Sequence, residues 1–376
     1  MRAAWAVAAT GIAVAVGLAA LSGGLAVTAV SGCDSGAEAC VPMCGGDGVT
    51  AARECGDDGC GGTCGTCEGA STCQAGACVC VPDCSGKFCA DDGCGTACFA
   101  CPGGFACGEK DTCDSVDGSE AYVPAGTFAM GCNETADDKC SADEKPARVL
   151  TLPAYAIGLH EVTAGEFKAC VDAGGCSPIK ASHCSLAGES TFLTSGAENR
   201  PVNCVDYARA VKYCEWRGQA LCNEAQWEKA ARGGCETTSF SGTDEGAETC
   251  KSQARIYPWG TGEPACTDAV MQKCASEKYA HEVGSRERDQ SVYGVRDMAG
   301  NVAEWTVDYY QSAWYTTAPE GDPRTPPSGA FRTTRGGSYA SPADAVRVSK
   351  RFSQVPTADV GYEHLGFRCC RALDAQ

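Results

Sequence analysis

The stretch RTTRGGSYASPADAVRVSKR, residues 332–351, decides how the rest of the chain is read. Its approach, Arg332 to Arg335, reads as a strand, because β-branched threonines favour extended backbone. A tight Gly336-Gly337 turn follows, and an ordered polar tail closes the segment. Between them, where a reactive loop carries its chemistry, stands Ala-Ser-Pro-Ala-Asp-Ala-Val. The segment has the form of an active-site loop without the active site, so catalysis is an open question from the outset.

The surrounding chain has 376 residues, enough for one large domain and something smaller. Its 30 Lys and Arg stand against 48 Asp and Glu, a net charge of -18. That balance excludes nucleic acid and anionic lipid headgroups as partners, since both require a basic face. Thirty-one cysteines imply an oxidising compartment, where thiols at this density persist as disulfides. The N-terminus agrees: Arg2, then an apolar run, then small residues ending at Cys33 give a secretory layout. Val30-Ser31-Gly32-Cys33 resembles a bacterial lipobox, which makes 1–32 a signal peptide and Cys33 the lipidated first residue of a short linker, 33–39. An uncleaved anchor over residues 3–30 is the alternative, since that run is long enough to span a bilayer. Either way the expected location is the bacterial cell envelope, lipid-anchored or secreted, and not the cytoplasm.

Residues 40–78 and 80–113 are two passes through one eight-cysteine pattern. CVPMC matches CVPDC, and CGDDGCGGTCGTC matches CADDGCGTACFAC. Five of the seven cysteine spacings are identical. With so few large apolar residues, each module needs disulfides in place of a core. Eight cysteines allow about 105 pairings, so connectivity stays open. The Cys-x-x-Cys pairs Cys64/Cys67 and Cys98/Cys101 also have zinc spacing, although an oxidising space disfavours thiolate sites. The repeated Asp-Asp-Gly is first a turn signal. The pair reads as a stalk.

From residue 119 to 374 the composition changes to that of a large domain. AYVPAGTFAMGCN has a strand-and-turn pattern. Thr163 and Glu166 form a capping box, and that helix should stop near Gly174-Gly175. Ala208, Val211 and Cys214 share a helical face in a segment ending at Gly218. Asn223 and Gln226 form a second box, ahead of a face of Trp227, Ala230 and Ala231. The 14 cysteines of this domain are an even number, so all can pair.

The order of VPAGTFAMG, HEVT, PVNCVDYARAVKYCEWRG, LCNEAQWEKAARGG, YPWG, DMAGNVAEW, RGGSY and GFR resembles the formylglycine-generating enzyme family, or sulfatase-modifying factor domain. The resemblance spans about residues 121–371. It implies an irregular α+β fold related to C-type lectins, with the first and last strands, in YVPAGTF and GFRCC, lying together.

The family's enzymes oxidise a cysteine of a sulfatase to formylglycine, using two cysteines that hold copper shortly after the Gly-Gly-Ser turn. Soft thiolates suit Cu(I), which then activates oxygen. Those two positions fall here on Ser341 and Val346, neither of which offers a thiolate, so copper is not expected. Ser338 and Trp305 match residues of the family's cleft; the plain alternatives are a turn serine and a core tryptophan. Ser341 as a nucleophile would need a base and an orienting group, and His160, His183, His281 and His364 show no triad spacing. No histidine sits in a His-x-x-x-Glu motif for iron. Calcium is implied at GNVAEW, through the side-chain oxygens of Asn301 and Glu304. There the alternative is that Asn301 caps a turn and Glu304 faces water. Asp268 could serve a second calcium site, unless a Cys266–Cys274 bridge closes that loop instead. The expectation is therefore a binding or structural domain whose partner is an exported or cell-surface protein, a peptide or a glycan, with the membrane reached through the N-terminal lipid. The competing reading is an oxidoreductase acting on a cysteine of an exported protein.

Overall fold

The computed structural model describes residues 112–373 apart from 186–189, 238–243, 273, 275–278 and 319–325, together with 71–74, 77–80, 101 and 104–107. The signal segment, Cys33 and most of both cysteine modules lie outside the described residues. Two units divide the chain, Met1–Cys80 and Val81–Gln376. Of the first, an antiparallel hairpin is described, β1 (Ser71–Gln74) with β2 (Ala77–Cys80), in which Cys73 lies opposite Cys78.

The first strands described in the second unit are a hairpin, β3 (Phe105–Cys107) and β4 (Cys113–Ser115), joined to the preceding chain by a Cys101–Cys113 disulfide. β4 pairs with β5 (Glu120–Val123), so the end of the second cysteine module is built into the sheet of the large domain. A separate ribbon follows, β6 (Gly126–Met130) against β7 (Arg148–Leu152). Then come β8 (Tyr155–Gly158), α1 (Ala164–Asp172), α2 (Tyr207–Trp216), β9 (Ala220–Leu221), α3 (Glu224–Arg232) and α4 (Asp244–Ser252). The last part holds β10 (Ala303–Tyr309), α5 (Trp314–Thr317), β11 (Arg332–Arg335), β12 (Phe352–Gln354), β13 (Leu365–Phe367) and β14 (Cys369–Ala372). The result is a mixed helix-and-sheet fold with long irregular connections. No helix among the described residues is long and apolar enough to cross a membrane.

Six strands form one sheet in the order β3-β4-β5-β8-β14-β9, and four form another in the order β12-β11-β10-β13. The first and last strands of the domain do share a sheet, but they are not neighbours. β8 lies between them, with Ile157 opposite both Ala121 of β5 and Cys370 of β14. β13 runs parallel to β10, and one residue later the chain has moved into the other sheet as β14. Arg368 sits at that crossing.

Both expected capping boxes are present. The Thr163 hydroxyl accepts from the Glu166 amide at 3.2 Å while Glu166 accepts from the Thr163 amide at 2.8 Å. Asn223 and Gln226 do the same at the head of α3. Each box satisfies donors that an α-helix leaves unpaired at its N-terminus. α1 ends at Asp172, with Gly174 in the left-handed region.

The inner face of α2 differs from the sequence reading. Ala210, Tyr213 and Cys214 are buried, whereas Ala208 is exposed and Val211 only half-buried. Tertiary partners turn the helix: Cys214 is bridged to Cys369, and the Tyr213 ring stacks on Phe167 and meets Phe367 edge-on. These rings, with Trp305, make one core. A second core gathers Trp227 of α3 with Phe128, Leu150, Tyr155 and Met298. All 14 cysteines of the domain pair, and Cys266–Cys274 does close its loop. Bridges at this density suit an extracellular or envelope protein rather than a cytosolic one.

Candidate functional site

The loop after β11 is fixed by its glycines. A side chain on Gly336 would press on the Trp227 ring at 3.1 Å, and one on Gly337 would meet the Ala345 carbonyl at 2.6 Å. Both glycines have positive φ, 85° and 68°, where other residues are strained. The turn that follows uses up its hydroxyls. Ser338 is 2% exposed, and its amide donates to Ser341 Oγ at 3.0 Å. Its own Oγ accepts from the Ala340 amide at 3.2 Å and lies 3.4 Å from Ser341 Oγ. Ser341 is therefore bonded inside its own turn, and no histidine is among its partners.

Val346 lies beyond a short 3-10 turn, Ala343–Ala345. It is fully buried among Ile256, Tyr257, Ala269, Met271 and Ala299. The second position at which a copper thiolate would be needed is thus part of an apolar core. The described cysteines are all in disulfides. One group of three candidate ligands does converge among the described residues, Cys132, Asp137 and Cys140, but its two sulfurs are joined to each other. The residues present do not fit copper held by soft thiolates.

Trp305 is 1% exposed and its indole N–H donates to the Val205 carbonyl at 3.1 Å. It packs in the core. Asn301 and Glu304 do not form an open cation shell either. Asn301 Oδ1 accepts from the His281 amide at 2.9 Å. Glu304 does not face water: it is fully buried, and Arg368 Nε and Nη2 grip its two oxygens at 2.7 and 2.8 Å. Calcium would have to displace a buried guanidinium to use that carboxylate, so this pair does not fit the ion as arranged. Asp268 caps its own loop, accepting from the Ala265 amide at 2.9 Å.

The polar tail, Arg347 to Arg351, turns out to be an anchor. Arg347 is 1% exposed; it bonds Glu144 through Nη1 and Nη2 at 2.6 and 2.9 Å and Asp137 at 2.8 Å. Arg351 holds Glu224 at 2.6 and 3.0 Å. Arg335, before the turn, pairs with Glu228. Arg368 completes the set. Besides Glu304 it donates to the carbonyls of Gly158 and Arg296, and its charge also faces Glu161 and Asp297. Burial first, and the Asp297 charge second, push the Glu161 and Asp289 carboxyls well above the ordinary carboxylate range.

Beside this network lies a second acidic pair. Asp308 accepts from the Glu224 amide at 2.7 Å, at the head of α3. Burial, reinforced by the Glu224 charge, pushes its pKa up to about 8, while Arg351 and Arg335 keep Glu224 ionised. The native state thus holds a proton that the unfolded chain loses near pH 4. It binds more protons than the unfolded state between those values, so this group makes stability fall as pH rises from about 4 to about 8. Asp308→Asn cannot titrate. Its melting temperature, compared with the parent at pH 5 and pH 8, should improve at the higher pH by at least the equivalent of about 1.4 kcal/mol, the worth of one pKa unit. A constant difference across the range would refute the buried proton.

Against known proteins, residues 109–373 match the model for the sulfatase-modifying factor enzyme 1-like domain. The chain belongs to this family. A formylglycine-generating enzyme of Streptomyces coelicolor is 34% identical over 298 residues, covering 68% of this chain and 90% of that protein. A hercynine oxygenase of Mycobacterium tuberculosis is 32% identical over 249 residues, covering 60% of this chain and 54% of the relative. Among solved structures, PvdO from Pseudomonas aeruginosa shares the fold at a TM-score of 0.54 and 25% identity, over 72% of this chain and 99% of that one. These relatives carry two different activities in their names, and family membership alone fixes neither for this chain.

Proposed function

We propose that this is an exported, lipid-anchored member of the sulfatase-modifying factor family whose domain serves binding or structure and not copper-dependent cysteine oxidation. The observation that carries this reading is Val346, a buried core residue where the chemistry needs a thiolate, with Ser341 at the companion position. A site of soft ligands without those ligands has no affinity for Cu(I). The duplicated cysteine modules hold the domain away from a membrane reached through a lipid on Cys33. The partner is an exported or cell-surface protein, peptide or glycan; a chain this acidic is no nucleic-acid binder.

The second reading is oxidation of a cysteine on an exported protein through a rearranged site. The formylglycine-generating enzyme of S. coelicolor, at 34% identity, favours it.

Titration of the purified chain with Cu(I) under a weak chelator distinguishes the two. The expected result is an unchanged melting temperature, no thiol titratable in the folded chain, and no conversion of a cysteine-containing peptide in the presence of oxygen. Copper-dependent stabilisation together with peptide oxidation would establish the second reading. Mass spectrometry of the N-terminal peptide should find a glycerolipid on Cys33, and an unmodified cysteine there would remove the anchor.

A further inference from the structure

The first and last arginines of residues 332–351 sit in matching surroundings, and only one of them holds an acid. Arg351 is 3% exposed, and its guanidinium carbon lies 5.1 and 4.4 Å from the ring centres of Tyr310 and Tyr315. Its Nε and Nη2, which share one edge of the guanidinium, grip Glu224 at 2.6 and 3.0 Å. Arg332, at the start of β11, lies between Tyr207 and Tyr309, at 4.4 and 3.7 Å from their ring centres. Its Nη1 donates to the Val307 carbonyl. The other edge is empty: Nε is buried without a hydrogen-bond partner, and no carboxylate among the described residues pairs with this arginine.

Stacking between two rings fixes the plane of a guanidinium, and with it the direction of its donors. An edge of two parallel N–H donors matches a carboxylate. A buried donor left without an acceptor is costly, so an empty edge of this kind favours whatever can fill it. Arg209, Arg232 and Arg335 also leave Nε unbonded, but each holds a carboxylate through another nitrogen. Arg332 does not, and it is only half-buried, so its acid can come from another molecule.

The neighbours of that edge narrow the kind of acid. Val307, whose carbonyl holds Nη1, and Phe331, which precedes Arg332, are both exposed apolar side chains. They suit an acid with apolar groups on either side. The ring faces nearest the edge are taken by the guanidinium itself, so they are not free to stack on a sugar. The net charge of -18 weighs against a polyanion.

We infer that Arg332 is a recognition site for a peptide, taking an aspartate or glutamate side chain that sits between apolar residues of the partner. The carboxylate takes at Arg332 the place that Glu224 takes at Arg351. This narrows the partner class of the binding reading above and rests on that reading. It involves neither Ser341 nor Val346, so it and the copper result can fail separately.

The test is isothermal titration of the full chain with acetyl-valyl-glutamyl-valinamide, with the glutaminyl peptide as its neutral isostere and methyl glucuronide as a carboxylate on a sugar. Saturable heat is expected from the glutamyl peptide, with at least tenfold weaker binding of the other two, as for loss of a hydrogen bond between charged groups. Arg332→Lys keeps the charge but not the paired donors and should weaken the glutamyl peptide at least tenfold. Its melting curve shows whether it folds; if it does not, Tyr309→Leu, which removes one ring of the stack, takes its place with a smaller loss. The inference is overturned by absence of saturable heat, by equal affinity for the two peptides, by a glucuronide that binds as well as the glutamyl peptide, or by unchanged affinity in the folded variant.

Discussion

Replacement of Arg368 by Met should be among the most damaging single changes in the domain. The guanidinium is 1% exposed and is the partner of Glu304, which is itself fully buried. Glu161 and Asp297 also feel its charge. Methionine fills much of the volume but leaves carboxylates facing one another in a dry interior. Removing one partner of a buried pair costs about 3–5 kcal/mol. For a domain of this size, each kcal/mol lowers the melting temperature by about 2–4 °C. The expected fall is therefore about 6–20 °C, read by calorimetry or circular dichroism. Arg368→Met with Glu304→Gln should recover part of it, because the second change removes the orphaned charge. A fall of only a degree or two in the single variant would mean that water or an ion reaches these acids.

The second large effect concerns two adjacent bridges. Cys214–Cys369 spans 155 residues and Cys222–Cys370 spans 148. They close nearly the same loop, so their contributions are not additive. With one bridge intact, the other adds only the closure of a small ring through 214–222 and 369–370. On the loop-entropy scale, losing either bridge alone costs about 3 kcal/mol, and losing the survivor as well costs about 5 more. Cys214→Ala/Cys369→Ala should therefore unfold at a moderately lower denaturant concentration. The variant lacking all four sulfurs should be largely unfolded at ambient temperature. Equal, additive losses would show that the entropic account fails here.

The parts of the structure that were legible in sequence are the local ones. Thr163 with Glu166, and Asn223 with Gln226, signal helix starts because the interaction spans three residues. The Trp227 face follows from helical period. The α2 face was misread because Cys214 and Tyr213 answer to Cys369 and Phe367, some 150 residues on. Nothing local marks Arg335, Arg347, Arg351 and Arg368 as buried, since their acids lie 64 to 210 residues away in sequence. Charged residues at that density ordinarily read as surface. Glu304 was expected either to bind a cation from outside or to face water; it meets a cation belonging to the chain itself. Ser341 and Val346 were identified from the Gly-Gly-Ser frame, but only the packing shows that Val346 is part of the core.

The crossing from β13 to β14 also has a consequence for the timing of assembly. Within eight residues, 365–372, the chain supplies the parallel neighbour of β10, the arginine for the buried acids, both late cysteines and a strand between β8 and β9. A ribosome delivers this segment after all the strands and helices it joins. Until it arrives, two sheets lack a member and Glu304, Glu161 and Asp297 lack their counter-charge. The domain should therefore stay loosely organised during synthesis and set in one late step.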